Sequence, residues 1–118
     1  EKRYELDDIM LLKVGRHLRP RPHLKVIVAR DAGETQYLRG YRKAYAHLIM
    51  TSHNGPMTLL EGELHDGDGE LAARIAARFG QGRAASDVQF DFVTAAGVVR
   101  SLAVAPFKPE DIAPEWYV

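Results

Sequence analysis

The run Lys25-Val-Ile-Val-Ala29 constrains the fold more than any other stretch of this chain. Its three consecutive β-branched residues are stiff about χ1 and suit a pleated strand. Ahead of it, Arg19-Pro-Arg-Pro-His23 carries two prolines. Each fixes its own φ and biases the preceding arginine away from helix, so this segment reads as a turn or loop. Further back, Ile9 to Leu18 reads as a strand with apolar residues at Met10, Leu12, Val14 and Leu18. The alternation points Leu12 and Val14 one way and Lys13 the other. Asp7-Asp8 also offers the start of a short helix through Leu12. Joined, the two strand runs make a basic hairpin.

Beyond it, Tyr37, Leu38 and Tyr41 fall at helical spacing and predict a short helix over about Glu34 to Tyr41. Ala46 to Thr51 predicts a strand, Asn54-Gly-Pro56 a turn, and Met57 to Leu60 a short strand. His65-Asp-Gly-Asp-Gly69 is a loop whose Asp68 is a candidate N-cap. The helix that follows, Gly69 to about Phe79, repeats Leu71, Ile75 and Phe79 every fourth residue among alanines, and Gly80 and Gly82 end it. Val88 to Thr94 and Val98 to Val104 predict a second hairpin across Ala95-Ala-Gly97. Residues 106–118 hold three prolines and predict an irregular tail that packs Phe107, Ile112 and Trp116 on the surface. The sum is an α+β fold, a mostly antiparallel sheet built from hairpins with two helices. At 118 residues the chain builds one core, so residues 1–118 form a single domain.

Composition removes several classes of function. There is no cysteine, hence no disulfide, no thiolate metal site and no thiol nucleophile. No apolar run reaches the ~18–20 residues of a membrane span. Glu1-Lys-Arg-Tyr4 is not a secretory signal, so the expected location is cytoplasmic, without a membrane partner. A start without Met is expected of a processed protein or of a domain cut from a longer one. The phosphate-cradling, dinucleotide, nucleophile-elbow and His-Glu-x-x-His patterns are all missing. Histidines 17, 23, 47, 53 and 65 lack zinc-site spacing. The acidic group Glu61, Glu63, Asp66, Asp68 and Glu70 lacks the calcium-loop pattern. It reads as a solvated loop whose last acids favour a helix N-terminus. No cofactor and no metal is expected.

The 16 Lys/Arg and 16 Asp/Glu cancel, yet they are unevenly placed. Residues 1–43 hold eleven basic and six acidic residues, and residues 44–118 hold five and ten. Between Asp8 and Asp31 there is no acid, while Lys13, Arg16, Arg19, Arg21, Lys25 and Arg30 accompany His17 and His23. A ribbon with outward Lys and Arg tracks a phosphate backbone. Tyr4, Tyr37, Tyr41 and Tyr45 offer stacking partners if they share its side, and Arg74 and Arg78 extend the footprint if their helix face lies beside it. The plain alternative is a solvated edge hairpin whose charges block aggregation. Two rivals belong to other classes. One is a docking or oligomerisation domain in which the positive half meets an acidic surface, as in a homodimer that salt dissociates. The other is a small enzyme using His17, His47 or His53 as general base, which requires a carboxylate beside the histidine.

The run Leu11-Leu-Lys-Val-Gly-Arg-His-Leu-Arg19 followed by Lys25-Val-Ile-Val-Ala-Arg-Asp31 resembles the opening of the NFACT-type RNA-binding domain in its shorter version. Gly55-Pro56, Leu59-Leu-Glu-Gly62, the Leu71-to-Phe79 helix, the last hairpin and Val104-Ala-Pro106 extend the resemblance over residues 9–106. Ala29 stands where that family usually has Gly, Leu18 where it has Phe, and Arg83 near an expected Lys. The resemblance implies an accessory domain at the C-terminus of a thiouridylase-like, tRNA-modifying protein. The Ser-Gly-Gly-x-Asp-Ser loop that would bind ATP is not in this chain, so its expected role is non-catalytic. The implied partners are RNA, in particular tRNA, and the parent catalytic domain in cis. The residues expected to bind RNA are Lys13, Arg16, His17, Arg19, Arg21, Lys25 and Arg30.

Overall fold

A computed structural model of the protein describes residues 14–118. Lys13, Tyr4 and the first part of the Ile9–Leu18 run lie outside the described residues. Six strands, β1 (Arg16–Arg21), β2 (Leu24–Val28), β3 (Ala46–Met50), β4 (Thr58–Glu61), β5 (Val88–Val93) and β6 (Val99–Val104), form one sheet in the order β1-β2-β4-β3-β5-β6. Every neighbouring pair is antiparallel. Helix α1 (Ala32–Arg39) connects β2 to β3, and α2 (Asp68–Arg78) connects β4 to β5. The expected α+β fold is the observed one.

The topology follows from chain direction. β2 and β3 both run antiparallel to β4 and hence parallel to each other; β4 and β5 are related in the same way through β3. Each helix therefore crosses over one intervening strand. The two crossovers step the same way across the sheet from strands of opposite direction. A common handedness then puts the helices on opposite faces, and the two apolar clusters agree. On one face, Val26, Val28, Leu48, Leu60, Phe90 and Leu102 pack with Ala72, Ala73, Ile75, Ala76 and Ala77 of α2. On the other, Ile27 and Leu59 pack with Leu38 of α1 and the half-buried Tyr37, Tyr41 and Tyr45. Val26, Ile27 and Val28 are all buried because β2 is covered on both sides, so the Lys25–Ala29 run is continuously apolar rather than alternating.

Three local readings differ from expectation. The prolines predict a loop over Arg19–His23, whereas β1 continues to Arg21 and the turn shrinks to Pro22-His23. Pro20 is accommodated because the register shifts between Leu18 and Arg21, and a bulge needs no ladder N–H there. Helix α1 begins at Ala32, capped by Asp31, whose Oδ1 accepts from the Glu34 amide at 2.8 Å. In α2 the cap is Gly67, and Asp68 is the first helical residue, fully buried. Of the expected apolar positions Ile75 is fully buried, whereas Leu71 and Phe79 are only partly so; Ala72, Ala73, Ala76 and Ala77 are buried with Ile75, and their small side chains let the helix lie close on the sheet.

Two glycines are fixed by geometry. Gly15 (φ 84°) leads into β1, and a Cβ there would lie 2.9 Å from the Val28 carbonyl oxygen. Gly62 (φ 118°) follows β4, and a Cβ there would fall 2.0 Å from the His23 carbonyl oxygen. Gly15 lets the two strands of the hairpin close at its open end, and Gly62 lets the chain leaving β4 pass against its turn. Residues 109–111 and 114–116 form short 3-10 turns, after which Tyr117 bridges Leu18 and the Val118 amide donates to the His17 carbonyl at 3.0 Å. The end of the chain thus covers part of the outer edge of β1.

Candidate nucleic-acid interface

Alternation along β1 divides the basic residues of the hairpin. Arg16 pairs across the sheet with Val28 and faces α2, whereas His17 pairs with Ile27 and faces the other way. Past the bulge, Arg21 returns to the α2 side. Arg16 and Arg21 consequently reach opposite ends of α2. The Arg16 guanidinium lies 4.4 Å from the centre of the Phe79 ring, a cation–π contact just past the helix C-terminus. Arg21 Nη1 donates to Asp68 Oδ1 at 2.6 Å at the helix N-terminus.

Asp68 gathers three donors. Besides Arg21, its Oδ2 accepts from the His65 amide at 2.7 Å and from His23 Nε2 at 2.8 Å. Burial disfavours its charge, but the His65 amide, His23 and Arg21 together outweigh burial and hold the carboxyl below its ordinary range. The His23 and His65 rings stack at 3.9 Å. This places His23, His65 and Asp68 donor atoms within 4.8 Å of one another, a grouping that the sequence spacing does not announce. With the imidazoles stacked and an arginine on the same carboxylate, the arrangement reads as a clasp. It joins the hairpin tip to α2 rather than forming a ligand set for a cation.

The other basic residues go elsewhere. Arg19 is exposed at the tip and donates to the Pro22 carbonyl at 3.1 Å. Arg30 binds Glu34 through Nε and Nη2, the shortest contact being 2.6 Å. That pair, with the Arg30 hydrogen bond as the main cause, draws the Glu34 carboxyl down to about 2. Arg16, His17, Lys25 and Arg30 surround one open recess of about 560 Å³, closed at one side by Tyr117 and Val118. Four of the seven sequence-predicted residues thus converge. Arg21 is engaged by Asp68, Arg19 sits at the tip, and Lys13 lies outside the described residues.

Tyr37, Tyr41 and Tyr45 do not line this recess. Tyr37, Tyr41 and Tyr45 form a ladder with ring centres 5.6 and 6.3 Å apart and pack on Ile27 and Leu59. Arg74 is held on the tail by the Ala105 carbonyl (2.9 Å) and the Phe107 ring (4.3 Å). His47 donates to the Tyr45 carbonyl, His53 meets the Ser52 hydroxyl, and His17 donates to the Val14 carbonyl. Among the described residues, His23 pairs with the Asp68 carboxylate, which it shares with Arg21.

A family model described as the NFACT protein RNA binding domain matches residues 15–117. The chain belongs to that family. RNA binding is the role that the family's description names. Among solved structures, the C-terminal part of the fibronectin/fibrinogen-binding protein from Streptococcus suis is similar, with a TM-score of 0.72 and 17% identity. All of this chain is covered, but only 51% of that one, so the chain spans about half its length. At that identity the likeness concerns the fold. None of the curated proteins matches the chain.

Proposed function

We propose that this NFACT-type domain binds tRNA through the recess on its β1–β2 hairpin, as the non-catalytic RNA-holding part of a cytoplasmic, thiouridylase-like tRNA-modifying protein. The observation that carries this reading is the convergence of Arg16, Lys25 and Arg30, with His17, on one open recess. Phosphates are recognised by such clusters of Arg and Lys, and RNA is distinguished by 2′-hydroxyl and splayed-base contacts, to which a histidine contributes. Family membership supplies the ligand class. The tRNA and the parent enzyme are the expectation drawn from the sequence resemblance.

The test is a salt titration of binding to unmodified tRNA. With roughly three to five phosphates engaged, log K falls against log[salt] with a slope of about −2 to −4. Arg16→Ala/Lys25→Ala flattens that slope by about one to two. No binding at low salt, together with a salt-dissociable dimer in sedimentation, would replace this reading with the docking domain.

A further inference from the structure

The hairpin recess does not stand alone. A second recess, of about 490 Å³, lies between the start of α1, the Asn54-Gly-Pro56 turn and the segment Phe79–Arg83. A third, of about 470 Å³, lies between the end of α1, β3 and the same turn. Arg30 lines both the first and the second, and Arg39 lines both the second and the third. An arginine therefore stands at each junction. Arg83 adds a cation to the second recess and Arg42 one to the third.

Few acids line these recesses among the described residues; Glu61 lies opposite Lys25 and Asp91 opposite Ile49 on the neighbouring strands. Asp31 is the carboxylate among the described lining residues, and its Oδ1 is committed to the Glu34 amide. Glu34 engages Arg30 through Nε and Nη2, and Nη1 takes no part in that pair. Each recess also carries a ring: Tyr117, 48% exposed, in the first, His53 in the third, and in the second Phe79, one face of which is covered by the Arg16 guanidinium. A basic path with rings at intervals is the arrangement that holds a single-stranded backbone and stacks its bases. Concavities of this size admit separate nucleotides, whereas a rigid duplex would bridge over them.

We propose that the three recesses form one track for a single-stranded RNA segment, running from the β1–β2 hairpin past Arg30 and Arg39 to the turn at Asn54-Gly-Pro56. This rests on the RNA-binding reading and goes beyond it in naming the strand state and a second contact surface, on α1 and Arg83, outside the acid-free run of the sequence.

The experiment compares an oligouridylate dodecamer, a tetramer and a self-complementary RNA duplex by fluorescence anisotropy. The proteins are the wild type, Arg16→Ala/Lys25→Ala and Arg39→Ala/Arg83→Ala, each checked for an unchanged thermal midpoint. The expected result is dodecamer bound at least tenfold more tightly than tetramer or duplex, with both double variants losing roughly tenfold for the dodecamer. Ultraviolet crosslinking of the dodecamer then yields adducts in peptides from both the Tyr117 and the His53 regions, a readout that survives if one variant folds poorly. If Arg39→Ala/Arg83→Ala binds the dodecamer like wild type and no crosslink reaches the His53 region, while Arg16→Ala/Lys25→Ala is weakened, the track is overturned and the hairpin reading stands. Preference for the duplex overturns the track as well. No binding of any RNA, tRNA included, overturns both.

Discussion

Arg21 Nη1 and Asp68 Oδ1 lie 2.6 Å apart, although 47 positions separate them in the chain. The contact fastens the tip of the basic hairpin to the first turn of α2. Since Asp68 is fully buried while Arg21 is 41% exposed, the carboxylate depends on its donors more than they depend on it. Asp68→Ala strips the acceptor from Arg21, His23 and the His65 amide at once. The donors left behind are partly exposed and water takes over much of what they lose, so the cost is about 1–2 kcal/mol. The expected thermal midpoint falls by roughly 5 °C. Asp68→Asn, which keeps the shape but not the charge, falls between that variant and wild type. Thermal unfolding followed by circular dichroism checks both.

Gly62 is the backbone counterpart of that clasp. Its positive φ and the 2.0 Å approach of a hypothetical Cβ to the His23 carbonyl oxygen leave no room for a side chain. Gly62→Ala must shift backbone against backbone, and the loss is at least ~2 kcal/mol. Gly67→Ala serves as a comparison, because it too has positive φ but no atom within 4 Å of its Cβ position. Urea unfolding should rank wild type above Gly67→Ala and Gly67→Ala above Gly62→Ala. Equal losses would mean that φ alone, and not the hairpin contact, sets the requirement.

The acid side of the stability curve is set in part by Glu34. Its carboxyl drops from 4.5 to about 2, chiefly because Arg30 hydrogen-bonds its charged form. A depressed carboxyl stabilises the fold fully above its unfolded value and loses that contribution as pH falls through the folded value. Wild type should therefore exceed Glu34→Gln in stability at pH 6, and the gap should close between about pH 4.5 and about pH 2. Asp68 titrates in the same direction but is present in both proteins, so the difference isolates Glu34. Urea midpoints measured across that range decide it.

How much of this was legible in the sequence depends on the range of the interaction. The Lys25–Ala29 strand, the last hairpin and both helices follow from local periodicity and turn chemistry. Gly15 and Gly62 stand in the motifs that carry the family resemblance, and each meets a backbone oxygen that only the fold supplies. Contacts between distant segments were not legible. Asp68 reads as an N-cap because Asp before a helix usually is one, and nothing local says that Arg21 and His23 arrive on the same carboxylate. For the same reason the acid-free run looks like one uniform basic surface. In the fold, strand alternation and a bulge send Arg16 and Arg21 to opposite ends of α2, while His17 faces away. Arg39, Arg42 and Arg83 do not stand out as one surface because they belong to separate local patterns and meet only across the turn at Asn54-Gly-Pro56.

That division separates stability from binding at two residues of the same hairpin. Arg21 is held by Asp68, whereas Lys25 lines the open recess and lies opposite Glu61 on the neighbouring strand. Arg21→Met keeps the aliphatic stem but removes the donor, so the buried carboxylate loses a partner and the thermal midpoint drops by several degrees. Its tRNA affinity at a temperature where the protein stays folded should remain within about twofold of wild type, because the guanidinium is committed inward. Lys25→Ala should do the reverse. A surface change of this kind moves stability by about 0.5 kcal/mol or less. Losing one phosphate contact flattens the slope of log K against log[salt] by about 0.7 to 0.9. Measured side by side, a lost slope in Arg21→Met with its midpoint intact would reassign Arg21 to the RNA surface and show that Asp68 does not hold it.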